Sequence, residues 1–130
     1  LDDANPELAE HNETVLKRTL AQLKPLTWER KVRDAIEEQL PEGEPSAEHI
    51  AKALHLSLRS LQRHLADEGC RFDTLLNESR ENLALLHLRD PQVSLSEISY
   101  LLGFADTSSF SRAFKRWTGM TPGQFRDELR

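Results

Sequence analysis

The chain of 130 residues contains a single cysteine, Cys70, and no apolar run long enough to cross a membrane. One cysteine excludes an internal disulfide bond and any zinc cluster built on cysteines. The N-terminus also lacks the charged, apolar and small-residue regions of a signal peptide. We therefore expect a cytoplasmic protein with no membrane partner, in which Cys70 is a small loop residue.

Signals for β-strands and for catalysis are equally scarce. The sequence has three valines, no persistent apolar–polar alternation and no Asn-Gly or Asp-Gly turn. It shows no nucleophile–base pair, phosphate-binding loop or carboxylate pair, and its five histidines are scattered. We expect no enzyme, no cofactor and no metal site.

Helical patterns fill most of the chain, because apolar residues recur at spacings of three and four. The segment PEGEP at 41–45 is typical of a linker. Capping residues, glycines and prolines mark the other helix ends. We expect helices near residues 6–23, 27–40, 46–54, 57–67, 72–89, 95–102, 107–117 and 122–129.

Two segments of the sequence repeat each other. Residues 46–65, SAEHIAKALHLSLRSLQRHL, align with residues 94–114, SLSEISYLLGFADTSSFSRAF. Their first helices match at an offset of 48, and after one inserted turn residue their second helices match at an offset of 49. A short capped helix, a tight turn and a second helix form a helix-turn-helix. The sequence predicts an all-α fold with two helix-turn-helix subdomains, a long central helix between them and an N-terminal linker helix.

The expected boundaries follow from this pattern. We expect the linker helix at residues 1–25, the first subdomain with the connecting helix at 26–90, and the second subdomain at 91–130.

Charge is distributed unevenly along the chain, whose formal net charge is −5. Residues 1–45 contain eleven acids and six bases, whereas residues 46–130 contain eleven of each. The second helix of each repeat carries cations and no acid, over residues 57–66 and 107–117. Even a neutral domain can bind phosphate if its cations are gathered on one side.

The second helices also present matching polar faces. In the second repeat the apolar stripe consists of Phe110, Ala113, Phe114 and Trp117. The polar face there holds Ser108, Ser111, Arg112 and Lys115, and at an offset of 49 the first repeat holds Arg59, Gln62, Arg63 and Ala66. Arginine and glutamine can bond to guanine and adenine edges bidentately, and serine can bond to either base. A solvated face explains one such helix, but the matched pair favours a double-stranded DNA partner.

These residues resemble a known family. The motifs LSEISYLLGF, FSRAFKRWTGMTP and QFR, with LQRHLADEG and the pair Arg80 and Ala84, are similar to the DNA-binding domain of AraC/XylS-type transcription regulators. The resemblance covers residues 27–130, and residues 1–25 resemble the segment that joins an effector-binding domain to this module. It implies seven helices, binding across two adjacent major grooves, and control of promoters through RNA polymerase.

The resemblance carries base-reading positions over to eight residues of this sequence. They are Arg59, Ser60, Gln62 and Arg63 in the first motif and Thr107, Ser108, Ser111 and Arg112 in the second. Phosphate contacts are expected from the helix N-termini at Ser57 and Ser94 and from Lys115 and Arg116. Arg71 departs from the family pattern, because a small capping residue is usual there.

Two points stay open at this stage. The acidic N-terminal part could instead belong to a helical protein–protein interaction module of a regulatory complex, which is the alternative function. Arg80 lies in the long central helix, and we interpret it as a structural cation that links the two halves and not as a DNA contact.

Overall fold

The structure is a computed structural model that describes residues 27–130. These residues form seven α-helices and no strand. The helices are α1 (Trp28–Gln39), α2 (Ala47–Ala53), α3 (Leu58–Asp67), α4 (Phe72–Leu88), α5 (Leu95–Leu101), α6 (Thr107–Thr118) and α7 (Pro122–Glu128), with a 3-10 turn at Leu40–Glu42. The predicted all-α class is confirmed, and each predicted helix in this part ends within one residue of the observed one. The predicted linker helix at 1–25 lies outside the described residues.

No helix in residues 27–130 has the length and apolar character that a membrane span needs.

Most helices begin at a side chain that accepts a hydrogen bond from the backbone three residues later. Ser46, Ser57, Ser94, Asp106 and Thr121 all cap helices in this way. Such caps satisfy one of the donors that the first helical turn leaves free. Helix α4 is different, because its cap residue Arg71 makes no side-chain hydrogen bond to the helix.

The turns of the two repeats have the same hydrogen bonds. In the first turn the His55 amide donates to Lys52 and the Leu56 amide to Ala51. In the second, Gly103 donates to Tyr100 and Phe104 to Ser99, which is the same pattern 48 residues later. His55 and Gly103 both have a left-handed backbone, with φ of 62° and 79°. The structure therefore confirms the internal repeat at the level of the backbone.

Helix α4 contributes to two apolar cores. Leu75 and Leu76 in its first half pack with α1, α2 and α3, whereas Ala84 and Leu88 in its second half pack with α5 and α6. Leu83 packs against both cores. Because one helix belongs to both cores, the two helix-turn-helix units are connected by a packed element and not by a flexible tether.

The segment 41–45 packs closely against the second repeat, which corrects the expectation of a plain linker. Leu40, which directly precedes it, and Pro45 at its end are buried. A Cβ atom built on Gly103 would lie 2.7 Å from the Leu40 carbonyl oxygen and 3.0 Å from that of Gly43. Since real Cβ atoms do not approach so closely, this contact requires glycine at 103.

Arg80 joins three parts of the fold. Its side chain is 5 % exposed, and its Nε donates to the Leu102 carbonyl (2.8 Å) while one terminal nitrogen donates to the Gly103 carbonyl (3.1 Å). The other terminal nitrogen pairs with Glu44 at 3.2 Å. The guanidinium also lies over the Phe104 ring, 4.1 Å from its centroid. The interpretation of Arg80 as a structural cation linking the two halves is confirmed.

Two further charged side chains cap helices that are distant in sequence. The Glu68 carboxylate accepts hydrogen bonds from the Trp28 and Glu29 amides at the start of α1, at 2.8 and 2.9 Å. Arg126 donates to the carbonyls of Leu88 and Asp90 at the end of α4. The negative charge of Glu68 lies at a helix N-terminus and the positive charge of Arg126 at a helix C-terminus, which are the ends where the helix dipole favours each sign.

Replacing Gly103 with alanine should destabilise the protein more than replacing Gly119, whose φ of 84° is similarly left-handed. Nothing lies within 4 Å of a Cβ at Gly119. Gly119→Ala should therefore lose about 1–2 kcal/mol of unfolding free energy from its backbone alone. Gly103→Ala should lose roughly a further 1–3 kcal/mol from overlap with Leu40 and Gly43. Urea unfolding measures both, and equal losses would contradict the close approach.

Replacing Arg80 with methionine should lower the unfolding free energy by about 2–4 kcal/mol, because two inward-facing carbonyls lose their donors. Glu44→Gln is the matched control. Its side chain is 63 % exposed, so removing its charge should cost less than about 1 kcal/mol. Thermal or urea unfolding checks both variants. Similar losses would show that the ion pair, and not the carbonyl capping, is the main contribution of Arg80.

Candidate nucleic-acid interface

Helix α3 exposes most of its predicted reading positions. Leu61 and Leu65 are buried in the first core, which fixes the rotation of the helix about its axis. Arg59, Gln62 and Arg63 consequently point away from that core and are exposed, whereas Ser60 is half-buried.

Helix α6 has the same arrangement. Its stripe of Phe110, Ala113 and Phe114 is buried, with Phe110 and Phe114 fully inaccessible. Four predicted reading positions lie outside that stripe: Ser108 and Arg112 are exposed, and Thr107 and Ser111 are half-buried. The rings of Phe104 and Trp117 flank the core, with centroids 6.1 Å apart. The aromatic residues thus support the helix from behind and are not available to stack on bases.

The cations on these helices differ from the structural arginines in their contacts. Arg33, Arg80 and Arg126 each bond to carboxylates or carbonyls. No hydrogen bond or ion pair to another described residue engages the side chains of Arg59, Arg63, Lys115 and Arg116. Arg112 makes one long contact, from a terminal nitrogen to the Ser109 hydroxyl at 3.5 Å. The cations at the predicted interface are therefore available to bind an external anion.

Two cavities near the start of α4 are each lined by a predicted base-reading residue. One, of about 310 Å³, is lined by Gln62 of α3 and by Arg71 and Asp73. The other, of about 530 Å³, lies between α4 and α6 and is lined by Asp73 and Arg112. Asp73 borders both cavities, so the first turn of α4 adjoins Gln62 at one of them and Arg112 at the other.

The two predicted helix N-termini differ in their surroundings. The Ser57 hydroxyl accepts a hydrogen bond from the Ser60 amide, and α3 has no acid in its first turn. At Ser94 a complete capping box is present, in which the Ser94 amide donates to the Glu97 carboxylate at 3.1 Å. That carboxylate makes Ser94 a less favourable neighbour for a phosphate than Ser57.

Two polar residues near the interface were not among the predicted site residues. Ser109 accepts the hydrogen bond from Arg112, and Asp73 borders both cavities. The helical phase of α6 could have pointed to Ser109, because residue 109 is on the same side as residues 112 and 116. Helical phase could not have pointed to Asp73, since its place beside the interface depends on how α4 packs relative to α6.

Metal and thiol chemistry have no support in the described part of the chain. No group of three or more histidine, cysteine, aspartate or glutamate side chains there could hold a metal ion. His64 stacks on Trp28, with ring centroids 4.3 Å apart. Desolvation and the nearby Glu29 raise the pKa of the Cys70 thiol, which opposes formation of a reactive thiolate.

Comparison with known protein families identifies a helix-turn-helix domain at residues 50–128. The ornithine utilization regulator of Pseudomonas aeruginosa is 46 % identical over 83 residues, which are 64 % of this chain and 24 % of that protein. The transcriptional regulator VirS of Mycobacterium tuberculosis is 45 % identical over 87 residues, or 67 % of this chain and 26 % of VirS. The chain thus spans about a quarter of the length of these relatives.

Solved structures have the same fold. A DNA-binding transcriptional dual regulator of Escherichia coli K-12 superposes with a TM-score of 0.74 at 25 % identity, covering 82 % of this chain and 95 % of that one. An AraC-type regulator from Chromobacterium violaceum gives a TM-score of 0.63 at 25 % identity, covering 76 % and 88 %. The DNA-binding domain of AdpA, crystallised with a target DNA, gives 0.65 at 21 % identity, covering 81 % and 95 %. This last likeness shows the fold alone.

The Asp106 cap of α6 predicts a pH-dependent contribution to stability. Its carboxylate accepts the Ser109 amide at 2.7 Å, and this bond, with a smaller effect from Arg112, holds the pKa of Asp106 below its usual 3.8. A carboxyl group with a lowered pKa in the folded state stabilises that state above its unfolded pKa and loses the effect as pH falls through the folded value.

Asp106→Asn keeps a capping oxygen but does not titrate, so it isolates this effect. The wild type should have the higher melting temperature at pH 7, and its advantage should shrink as the pH falls below 4. Melting temperatures of both proteins from pH 7 to pH 3 check this. A constant difference across the range would contradict the assigned role of the carboxylate.

Proposed function

Because the chain belongs to the AraC family of helix-turn-helix transcriptional regulators, we propose that it is the DNA-reading part of such a regulator. In this proposal α3 and α6 enter two adjacent major grooves of one duplex. The reading side chains are Arg59, Ser60, Gln62 and Arg63 on α3 and Thr107, Ser108, Ser111 and Arg112 on α6. Lys115 and Arg116, with the helix N-termini at Ser57 and Ser94, contact phosphates.

The observation that carries the proposal is the contrast between engaged and unengaged cations. Arg80 and Arg126 use their donors on carbonyls inside the fold. Arg63 and Lys115 bind no described residue, and they project from the two helices that the repeat places in equivalent positions. Cationic side chains without internal partners on exposed helix faces suit base edges and phosphates, because these present hydrogen-bond acceptors to their donors.

The dimensions of α4 are consistent with two reading helices on one side of a duplex. At about 1.5 Å per residue, the 17 residues of α4 span roughly 25 Å. Successive major grooves on one side of B-DNA are about 34–36 Å apart. We propose that the duplex bends toward the protein to meet the shorter spacing, as DNA does in many complexes.

The wider role of the protein follows from family membership alone. We propose that an effector-binding domain precedes this part in the full-length protein and is joined to it through residues 1–25, that RNA polymerase is the downstream partner, and that regulation takes place in the cytoplasm. The relatives are named as regulators, which supports a role in regulation and not in catalysis.

Selection of bound duplexes from a random oligonucleotide pool should yield an asymmetric motif with two informative segments about one helical turn apart. Arg63→Ala should remove sequence preference in one segment and Arg112→Ala in the other, each by about 1–3 kcal/mol of discrimination per base pair. Both side chains are exposed, so the variants should remain folded.

Lys115→Ala is the control for this experiment. A lost phosphate contact should weaken binding to all sequences equally and leave the selected motif unchanged. Recovery of no preferred sequence, or an unchanged motif with both arginine variants, would overturn the proposed function. Binding that does not weaken as salt rises would do the same and would favour the interaction-module alternative.

A further inference from the structure

A polar groove separates α4 from α6. We call it the central groove and define it by Asp73, Asn77, Arg80, Ser109, Arg112 and Arg116, which line its walls. Its volume is about 530 Å³, and Glu44, Leu76, Phe104 and Ala113 complete the lining. The groove lies beside the predicted reading face of α6 and adjoins, through Asp73, the cavity that Gln62 of α3 lines.

The groove offers donors on both walls. The three nitrogens of the Arg80 guanidinium already contact Leu102, Gly103 and Glu44. The guanidinium of Arg116 and the amide of Asn77 make no hydrogen bond with any described residue. Glu44 is paired with Arg80, so these two charges offset each other. The remaining charged groups of the groove are the guanidinium groups of Arg112 and Arg116 and the carboxylate of Asp73.

The position of the groove indicates which anion it would meet. A protein that reads two successive major grooves on one side of a duplex faces the sugar–phosphate backbones that run between them. The central groove lies between α4 and the proposed reading helix α6, and through Asp73 it adjoins the cavity that Gln62 of the other proposed reading helix lines. A backbone that runs between the two reading helices is therefore expected to pass along this groove. An excess of guanidinium over carboxylate there favours a phosphodiester, which accepts hydrogen bonds from arginine in a fork geometry.

We propose that the central groove holds a phosphodiester of the DNA backbone between the two major grooves, with Arg116 and Asn77 as its donors. This inference rests on the proposed function of the protein. Arg116 thereby contacts a phosphate at the centre of the site, whereas Lys115, one residue earlier and outside the groove lining, contacts a different phosphate. Asp73 opposes the phosphate electrostatically and limits the affinity for DNA.

The test pairs protein variants with chemically neutralised phosphates. The probe is a duplex recovered from the random pool, prepared in versions that each carry one methylphosphonate, an uncharged replacement for a single phosphate. For the wild type, methylphosphonates between the two informative segments should weaken binding. In Arg116→Gln the same central substitutions should have a much smaller effect, because the guanidinium is already lost and only Asn77 still donates to that phosphate, and this non-additivity identifies the contact.

Lys115→Gln is the matched control, since it removes a neighbouring cation from the same helix. In this variant the central methylphosphonates should weaken binding as much as they do in the wild type. The methylphosphonate at the different phosphate that Lys115 contacts should have little further effect. For Arg116→Gln, the fourfold rise from 50 to 200 mM salt should weaken binding about threefold less than for the wild type, as expected for one phosphate contact. Asp73→Asn should strengthen binding to random duplexes.

The outcomes separate this inference from the proposed function. Absence of any DNA binding would remove both. Sequence-specific binding in which Arg116→Gln and the central methylphosphonates act additively would overturn the inference and leave the function intact. If inorganic phosphate raised the melting temperature of the wild type but not of Arg116→Gln, and the duplex showed no coupling, the groove would be a site for a free anion and the inference would be wrong.

Discussion

The arrangement of the two helix-turn-helix units depends on one buried guanidinium. Arg80 satisfies the carbonyls of Leu102 and Gly103 at the end of α5 and pairs with Glu44 in the segment before α2, so from the central helix it bonds to the second repeat and to the segment that precedes the first. Burial lowers the pKa of this guanidinium, and the nearby Glu44 carboxylate opposes the shift. Because Gly103 meets the Leu40–Glu42 turn in the same place, the relative orientation of the repeats is set by a directional hydrogen-bond network together with steric contact.

Sequence patterns were sufficient for the elements of the fold. Apolar spacing located the helices of residues 27–130 to within one residue, and the offsets of 48 and 49 anticipated the matching turn hydrogen bonds. The packing of residues 41–45 against Gly103 could not be predicted, since it depends on the angle between elements that are 60 residues apart. Arg126 was missed for the same reason, because the end of α4 that it caps is distant in sequence.

The interface was predictable only in part. Helical phase placed Arg59, Arg63 and Arg112 on exposed faces, as the structure shows. Helical phase carries no information about which faces of different helices adjoin one another, so the groove between α4 and α6 emerged only from the structure. The roles of individual side chains toward base edges stay predictions, since exposure and charge are necessary for reading but do not identify the base.

The exposed positions that are proposed to read bases on α3 are not needed to hold the fold together. The side chains of Arg59, Gln62 and Arg63 make no hydrogen bond or ion pair with any other residue of 27–130, whereas the caps and the shared helix retain their contacts whatever side chains stand at these positions. Exchanges there leave folding almost untouched, so stability places little restraint on them. Under the proposed function, a single exchange at one of these positions alters the DNA sequence that is recognised while the scaffold keeps its contacts.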